Sequence, residues 1–327
     1  MIQKHNIRYL FEKDIIHRYL KKLNLKKEET FNFKNDGAFL KKKKNKEIVV
    51  TNDTILESVD FFKSDDPESI AQKIITYNLS DLSSMGAVPY CYTLSLSLPK
   101  WISEDWINKF TKKLFFLQKK YKFFLLGGDI SKSKEIVISA NFYGYILKNL
   151  ILKREFPKIG DTIWVTGNIG ESHIGLLLKK KIFFLNKLYQ KYFFNKYLYP
   201  EPCMIGSKIN KISTSAIDIS DGFYGDLSKL CDKKNLGADI MISKIPFSRK
   251  VKHLLKNKLI EVNSLLTGGD DYQLIFTTPA KEENKILSIS KKNKCKISKV
   301  GRIINKKGIF IDGKKISNSR LSFQYFF

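Results

Sequence analysis

The clearest helical pattern in the chain lies in residues 66–89. Apolar side chains recur there every three to four residues, at Ile70, Ile74, Ile75, Leu82 and Met85. This spacing places them on one face of a helix. Asp66 can cap the helix and Pro67 suits its first position, while Gly86 and then Pro89 favour its end. The pattern therefore predicts a helix with one buried face.

A pair of polar residues lies beside the apolar stripe of this helix. Asn78 and Asp81 are three residues apart, so they share a helix face close to the stripe. A buried carboxylate costs several kcal/mol unless a cation compensates it, and no Lys or Arg occurs between Lys73 and Lys100. A bound metal ion is one source of that cation. For this motif alone, an Asp on the helix surface with an Asn beside it is the simpler alternative.

Shorter patterns along the rest of the chain predict an α+β protein. Alternating or short apolar runs predict strands near residues 31–33, 47–51, 90–98, 123–126, 136–146, 162–166, 215–218, 273–277, 297–303 and 308–311. Helical spacing predicts further helices near residues 12–23, 103–121, 171–180, 183–199, 221–233 and 281–291. The polar connection at residues 152–161 predicts a boundary between two α/β domains, residues 1–150 and residues 151–327.

Length and composition narrow the class of protein. The chain has 327 residues, of which 43% are hydrophobic and 28% charged, as in soluble globular proteins. Charged residues interrupt every apolar stretch near the N-terminus, and no apolar run approaches the roughly 20 residues of a membrane span. We therefore expect a cytoplasmic protein without a membrane segment.

Neither the basic charge nor the cysteine spacing predicts a specific nucleic-acid complex, a zinc site or a disulfide. The formal net charge is +27, but Lys residues are spread from end to end, so we expect no specific nucleic-acid complex, only the salt-sensitive attraction of any basic protein. Cysteines occur at Cys91, Cys203, Cys231 and Cys295, without C-x-x-C spacing. Together with four scattered histidines, this spacing predicts neither a zinc site nor a disulfide.

Acidic residues recur in short segments that contain few basic residues. They are Asp36, Asp53, Asp81, Asp129, Asp218 and Asp221. Most are expected at the end of a strand or helix, and Gly127 and Gly128 precede one of them, where glycine amides can line a phosphate. Ser220 is expected to cap a helix beginning at Asp221, a position that favours anions. The chain contains no P-loop and no protein-kinase motif, so a nucleotide could be held through several Mg²⁺ ions between carboxylate and phosphate oxygens.

Five short motifs occur in a recognisable order. They are Asn78 to Pro89 (N-L-S-D-L and M-G-A-V-P), Gly127 to Asp129 (G-G-D), Val165 to Gly167 (V-T-G), Asp218 to Gly222 (D-I-S-D-G) and Gly268 to Tyr272 (G-G-D-D-Y). In this order the chain resembles the thiamine-monophosphate kinase family, within the superfamily of aminoimidazole ribonucleotide synthetase and selenophosphate synthetase. The resemblance covers nearly the whole chain; each motif is weak alone, but five in register are specific.

The resemblance implies a fold and an activity. The fold would have an N-terminal domain with a mixed or antiparallel sheet that dimerises, and a C-terminal α+β domain that completes the active site. The activity would be ATP-dependent phosphorylation of thiamine monophosphate to thiamine diphosphate by a homodimer. No side chain is assigned as a catalytic acid, base or nucleophile, because Mg²⁺ ions and positioning would drive a direct in-line transfer.

The resemblance also implies roles for individual residues. Positions that hold Mg²⁺ in the family match Asp36, Thr51, Asn52, Asp53, Asp81, Asp129, Asp218 and Asp221. Positions that contact ATP match Gly128, Asp129, Arg154 and Ser220, and Tyr121 is a weaker candidate for a nucleotide contact. Positions that face the thiamine substrate match Asp60, Asp270 and Phe323.

Several of these positions depart from the family pattern. Asp60 stands where the family usually has His, Asp270 where it has Glu, and Phe323 where it has Tyr or Trp. Asn35 replaces a usual Asp and Asn52 a frequent Thr, but both keep an oxygen ligand. The substrate side of the site therefore departs from the family more than the metal side does.

Other functions are compatible with parts of the sequence. One is another ATP-dependent kinase or synthetase of the superfamily. Selenophosphate synthetase needs a reactive Cys near its N-terminus, whereas the first cysteine here is Cys91; the hydrogenase-maturation relative carries a C-terminal Cys, whereas this chain ends in Phe327. A nucleotide-binding relative without turnover is a second alternative. A basic nucleic-acid-binding protein is a third, on charge alone.

Overall fold

The computed structural model describes residues 11–232 and 236–316. These residues divide into two compact units. The first unit consists of the described residues up to Lys43, with Asn52–Ile75 and Pro89–Tyr143. The second unit consists of Lys44–Thr51, Thr76–Val88 and the described residues from Gly144 onward.

The helices agree with most of the sequence pattern. They are α1 (Glu12–Asp14), α2 (Pro67–Ser84), α3 (Glu104–Tyr121), α4 (Glu171–Lys179), α5 (Lys187–Leu198), α6 (Gly206–Ile209), α7 (Phe223–Cys231), α8 (Arg249–Lys256), α9 (Val262–Thr267) and α10 (Glu283–Asn293). Asp66 caps α2 as predicted, since its Oδ1 accepts a hydrogen bond from the Ser69 N–H at 2.8 Å. Within the described ranges, no helix has both the length and the apolar character needed to cross a bilayer.

The strands form two sheets. They are β1 (Lys46–Leu56), β2 (Val88–Leu98), β3 (Phe124–Lys132), β4 (Val137–Leu147), β5 (Thr162–Thr166), β6 (Ser215–Asp218), β7 (Gly237–Ile240), β8 (Leu274–Thr278), β9 (Ile297–Ile304), β10 (Gly308–Ile311) and β11 (Lys314–Lys315). The four-stranded sheet has the order β1-β4-β2-β3, with β2 and β3 parallel. The seven-stranded sheet has the order β11-β10-β7-β9-β5-β8-β6; β10 pairs in parallel with β7, whereas β5 pairs antiparallel with β8 and β9. The predicted α+β class is confirmed.

The core of the second unit covers both faces of its sheet. Successive residues of β5 enter different clusters: Ile163 and Val165 pack on one side with Ile217, and Trp164 packs on the other side with Phe276. A strand covered on both faces has no solvent side to mark with polar residues. This explains why β5 is a continuous apolar run in the sequence.

The predicted elements near the N-terminus are wrong in detail. The expected strand at residues 31–33 is part of a 3₁₀ segment, Glu28–Phe33, in which Phe31 and Asn32 have positive φ angles of 45° and 58°. Asn32 accepts a hydrogen bond from the Asn24 side chain at 3.1 Å, and a contact of this kind is invisible to a local pattern. The helix expected at residues 12–23 continues after α1 as a π segment and a 3₁₀ segment.

Candidate active site

A cavity of about 490 Å³ in the first unit brings together residues far apart in sequence. Asp36, Gly128 and Asp129 all line it. Its walls include the apolar side chains of Leu94 and Leu126. Both acidic side chains are exposed, so water or a ligand can reach their carboxylates. This combination of apolar walls and a few polar groups is typical of small-molecule sites.

The glycines at this cavity lie inside a strand, whereas the sequence pattern predicted a strand that ends with them. Residues 127–129 are part of β3, and Gly128 and Asp129 pair with Leu94 and Ser95 of β2. A Cβ atom on Gly128 would lie 1.9 Å from the Leu94 carbonyl oxygen, whereas one on Gly127 would meet nothing within 4 Å. Gly128 is therefore required by the close approach of two strands, whatever else it contacts.

A second correction concerns Asn52 and Asp53, which were expected to follow a strand that ends at Thr51. They lie inside β1, so Thr51 and Asp53 point to the same side and Asn52 to the other. In the first unit, Asn52 Nδ2 donates to Asn141 Oδ1 at 2.8 Å. In the second unit, Thr51 Oγ1 donates to Asp81 Oδ2 at 2.5 Å. The strand thus holds oxygen-bearing side chains on both of its faces.

Two carboxylates approach each other in the second unit. Asp218, at the end of β6, is 4% exposed, and its Oδ2 accepts a hydrogen bond from Ser80 Oγ at 2.9 Å. Burial, followed by the charges of Asp81 and Asp226, raises the pKa of Asp218 to about 8. Burial also raises the pKa of Asp81, although the Thr51 hydroxyl and the Arg154 charge oppose this shift. The pair is an electrostatic cost that a cation would relieve.

The donor chemistry of this pair fits Mg²⁺. Carboxylate oxygens are hard ligands, and Mg²⁺ is commonly held by one or two carboxylates together with phosphate oxygens and water. Among the described residues, no three His, Cys, Asp or Glu side chains form a group that could hold a metal. The protein thus offers carboxylate pairs rather than a complete cage, and oxygen atoms of a substrate would have to complete the coordination.

The Asp218–Gly222 motif has a different local structure from the predicted cap. Helix α7 begins at Phe223, and Gly222 is its N-cap with φ 119°. The backbone N–H groups of Ser220 and Asp221 both donate to Asp226 Oδ2 at 3.0 Å. The two amides that were expected to face an anion are therefore held by the protein's own carboxylate.

Asp226 and Lys229 were missed in the sequence. Asp226 is 1% exposed, and Lys229 Nζ donates to its Oδ1 at 2.7 Å and to Asp221 Oδ2 at 2.5 Å. Burial raises the pKa of Asp226, and the Lys229 ammonium opposes that shift. The expectation that basic residues avoid this acidic segment is therefore wrong for Asp221. The three-residue spacing of Asp226 and Lys229 on a predicted helix could have indicated this ion pair in the sequence.

The Gly268–Tyr272 motif lies against the Asp218–Gly222 motif. The Asp270 N–H donates to the Ser220 carbonyl at 2.9 Å, and a Cβ atom on Gly269 would lie 2.0 Å from that same oxygen. Asp270 has a positive φ of 68°, and its Oδ1 accepts a hydrogen bond from the Tyr272 hydroxyl at 2.7 Å. The fold thus joins Ser220 and Asp270, which the resemblance assigns to ATP and to substrate.

His173 is a further residue that sequence reasoning missed. It packs so closely against Gly268 that a Cβ atom there would lie 2.1 Å from the His173 ring. Its Nε2 is 3.1 Å from Ser264 Oγ. Burial lowers the pKa of His173, opposed by the Asp270 charge. The His173 side chain, whose lowered pKa favours the neutral form, therefore packs against Gly268, in the loop that carries Asp270.

Asp60 lies in a tightly bonded turn of the first unit. Its Oδ2 accepts a hydrogen bond from the Leu56 N–H at 2.8 Å, and its carbonyl oxygen accepts one from Lys73 Nζ at 2.9 Å. Lys73 is 1% exposed, and a buried ammonium is stable only with partners. The buried lysine therefore holds the turn that carries Asp60, a role that the sequence pattern did not predict.

The remaining predicted residues have fewer contacts with the cavity or with the acidic residues described above. Tyr121 is the last residue of α3 and is half-buried. Neither Tyr121 nor Asp53 lines the cavity of the first unit. Arg154 is exposed in the second unit, and its charge acts to lower the pKa of both Asp81 and Asp218. Phe323 lies outside the described residues.

Two family models together match most of the chain. The N-terminal domain of AIR synthase related proteins matches residues 34–146, and their C-terminal domain matches residues 158–314. The thiamine-monophosphate kinase of Buchnera aphidicola subsp. Acyrthosiphon pisum is 35% identical over 96% of this chain and 98% of its own length.

Solved structures agree with these matches. The thiamine-monophosphate kinase of Stenotrophomonas maltophilia K279a superposes with a TM-score of 0.83 and 29% identity over 94% of this chain and 98% of its own. A second structure, AaThiL complexed with AMPPCP and TMP, has a TM-score of 0.77 and 28% identity over 88% of this chain and 90% of its own. With its motifs, both sheets and these similarities in agreement, the chain belongs to the thiamine-monophosphate kinase family of AIR synthase related proteins.

Proposed function

We propose that this protein transfers the γ-phosphoryl group of ATP to thiamine monophosphate, producing ADP and thiamine diphosphate. The observation that carries the proposal is the buried Asp218 beside the half-buried Asp81. This pair of acids is costly in a protein without a cation and fits one that binds phosphate-bound Mg²⁺. The relative with AMPPCP and TMP bound supports the same pair of substrates.

Several Mg²⁺ ions are part of this proposal. We assign their ligands to both units: Asp36, Asn52, Asp53 and Asp129 in the first, and Thr51, Asp81, Asp218 and Asp221 in the second. Bound Mg²⁺ would neutralise charge on the phosphate groups and lower the repulsion between two anionic reactants. Because Lys229 already pairs with Asp221, that side chain is the ligand most dependent on rearrangement.

The nucleotide and the acceptor are assigned to separate residues. We assign ATP contacts to Tyr121, Gly128, Asp129, Arg154 and Ser220. Substrate contacts fall to Asp60 and Asp270, together with Phe323 beyond the described residues. The Tyr272 hydroxyl donates a hydrogen bond to the Asp270 carboxylate, and Lys73 Nζ donates one to the Asp60 carbonyl, so each acid is positioned by a hydrogen bond.

We propose a direct, in-line transfer. The acceptor is already an ionised phosphate oxygen, so no side chain has to remove a proton from it. That oxygen forms a bond to the γ-phosphorus as the bond from the γ-phosphorus to the bridging oxygen breaks, and ADP leaves with that bridging oxygen. The protein's task is therefore to align the reactants and exclude water.

A homodimer and a two-domain division complete the proposal. Ile48 and Val50 are 42% and 55% exposed on β1, which is an edge strand of its sheet. An exposed apolar edge favours pairing with another chain, and we propose a second copy. We also retain the division into residues 1–150 and 151–327, and a cytoplasmic location.

The activity is tested by coupled ADP release with ATP, thiamine monophosphate and Mg²⁺. We expect release that requires the acceptor and stops with EDTA, with thiamine diphosphate as the second product. The Asp129→Asn variant is expected to be inactive. The matched control is Asp105→Asn, which removes an exposed carboxylate paired with Lys109 on α3 and should leave turnover unchanged. ADP release that ignores thiamine monophosphate would overturn the proposal.

The in-line step is tested separately. Enzyme is incubated with γ-labelled ATP and Mg²⁺ without acceptor, quenched and examined for labelled protein. We expect none, and inversion of configuration when a chiral γ-thiophosphate is used. Label on His173 or on an Asp that chases into product, or retention of configuration, would show a phosphorylated enzyme instead.

A further inference from the structure

Two cysteines that are far apart in sequence meet in the second unit. Cys203 and Cys295 are separated by 92 residues, yet their sulfur atoms lie 3.4 Å apart. Both are free thiols. Cys203 belongs to a core cluster with Trp164 and Phe276, and Cys295 packs against the same cluster. Their contact was not predictable from the spacing of cysteines along the chain.

We propose that Cys203 and Cys295 form a reversible intramolecular disulfide, a covalent modification site on this enzyme. A disulfide requires a sulfur–sulfur distance of about 2.05 Å, so the two sulfur atoms, 3.4 Å apart, would have to approach by about 1.4 Å to close the bond. The inference rests on this packing and is independent of the proposed function.

The surroundings of the two sulfur atoms favour different roles. Cys203 is 8% exposed and its backbone is fixed at both ends, since its N–H donates to the Tyr272 carbonyl at 3.1 Å and its carbonyl accepts from Ser83 Oγ at 2.6 Å. Cys295 is half-buried and follows Lys294, which ends α10 with a positive φ of 51°. The Cys295 backbone is held too, since its N–H donates to the Ser290 carbonyl at 3.1 Å and its carbonyl accepts from Ser290 Oγ at 2.7 Å. The two cysteines therefore differ in exposure, and Cys295 is the sulfur that an outside reagent reaches.

The electrostatics of the pair support thiolate formation at Cys203. A hydrogen bond from Cys295 and another from Thr166 lower the pKa of Cys203. The pKa of Cys295 is raised instead, by its hydrogen bond to Cys203 and by burial, so the pair holds one thiolate, on Cys203. Burial raises the pKa of the isolated Cys91 and Cys231 to about 12. Thiolates are the reactive form, so the pair should react well before the isolated cysteines.

The oxidant is a small disulfide such as oxidised glutathione. The Cys295 thiol gives its proton to the Cys203 thiolate along the contact between them as the Cys295 sulfur attacks one sulfur of the oxidant. The first glutathione leaves as a thiolate and takes that proton from Cys203, and a mixed disulfide remains on Cys295. The Cys203 thiolate then attacks the Cys295 sulfur, and the second glutathione leaves. Two protein thiols become one disulfide, two electrons pass to glutathione, and the two thiol protons end on the two leaving thiolates. Excess reduced glutathione reverses both steps.

The first experiment counts thiols and maps the bond. The intact protein is equilibrated in mixtures of reduced and oxidised glutathione, quenched with acid, and its thiols are counted after denaturation. We expect a fall from the four thiols of the sequence to two, and a Cys203–Cys295 peptide pair in a non-reduced digest. Four remaining thiols at every mixture, or a stable glutathione adduct as the end product, would overturn the proposal.

Single variants assign the two roles. Cys203→Ser should trap the mixed disulfide on Cys295, and Cys295→Ser should form neither disulfide nor adduct at position 203. Cys231→Ser is the matched control, a buried cysteine with no such partner, and should behave as the wild type. Because Cys295 is half-buried, its serine variant is expected to fold even if Cys203→Ser does not; an unchanged thiol loss in Cys295→Ser would refute the pairing.

A stability measurement gives a second readout. The disulfide closes a loop of about 90 residues, which restricts the unfolded chain. The oxidised wild type should therefore have a higher Tm than the reduced form, and dithiothreitol should restore the original value. The Tm of Cys295→Ser should not respond to oxidised glutathione; a response equal to that of the wild type would count against the pair.

Discussion

The acidic residues of the two units lie in different physical environments. In the first unit, Asp36 and Asp129 are exposed at the wall of a cavity, where water can hydrate their carboxylates. In the second unit, Asp218 is almost fully buried, and the neighbouring Asp81 and Asp226 add like charge. A cation at the first site contributes mainly its own binding energy, whereas a cation at the second also removes a cost of folding. Acidic residues with the same proposed role, binding Mg²⁺, can therefore differ in how much they lower the stability of the folded protein without metal.

The largest expected effect combines turnover with stability. Asp129→Asn and Asp81→Asn should each lower turnover by about 100-fold or more, because each removes charge that positions Mg²⁺. Only Asp81→Asn should also raise the Tm of the protein in EDTA, since it removes the carboxylate charge of the half-buried Asp81 next to the buried Asp218. Steady-state ADP release and thermal unfolding with and without Mg²⁺ measure both. Equal Tm shifts in the two variants would contradict the difference between the units, and Asp105→Asn is the control for turnover.

A pH dependence should distinguish the buried acid from the exposed ones. The pKa of Asp218 is raised from 3.8 to about 8, so between these values the folded protein keeps a proton that the unfolded chain loses. The free energy of unfolding without metal should therefore fall as the pH rises from about 4 to 8, by on the order of a few kcal/mol. Urea unfolding in EDTA at several pH values measures this slope.

Two comparisons sharpen that measurement. Mg²⁺ should remove part of the slope, because it favours the ionised pair. Asp218→Asn should remove the share that belongs to Asp218. The shares of Asp81, Asp226 and Asp271, whose pKa values are also raised by burial, should remain. A stability that rises with pH over this window in the wild type would be the opposite sign and would rule out a protonated Asp218.

The wall of the cavity in the first unit depends on backbone packing rather than on buried charge. Gly128→Ala should lower the free energy of unfolding by about 1–3 kcal/mol, because the new Cβ atom would lie 1.9 Å from the Leu94 carbonyl oxygen. Gly127→Ala is the matched control, with nothing within 4 Å of its Cβ atom. Urea unfolding compares the two. Equal stability of both variants would show that β2 and β3 can separate at this point.

The smallest expected effect concerns the substrate side. Asp60→Asn keeps an oxygen that can accept the Leu56 N–H bond but removes a negative charge near the predicted position of a phosphate dianion. The KM for thiamine monophosphate should fall by up to about 5-fold, which corresponds to roughly 1 kcal/mol between two charges in water. The KM for ATP should stay unchanged. Steady-state kinetics with each substrate varied would show a raised KM if Asp60 instead makes a favourable contact.

Much of the fold could be predicted where local pattern and tertiary environment agree. The cap and first turn of α2 and the bounds of β5 match the prediction, because Asp66 acts within one turn of its helix and β5 is apolar throughout. Prediction failed at residues 31–33 and at Ser220, where side chains distant in sequence or farther along the helix supply the hydrogen-bond partners. Three alternating residues were too few to distinguish a strand from a 3₁₀ segment.

The sequence by itself determined the family, the α+β class and the set of acidic motifs, because these depend on residue identity and order along the chain. Only the tertiary structure decided which acids are costly, that Lys229 pairs with Asp221, and that Cys203 meets Cys295 across 92 residues. The physical reason is that desolvation and close contact depend on what surrounds a side chain in space. Neighbours that are distant in sequence leave no periodic signal, so their effects appear only in the folded chain.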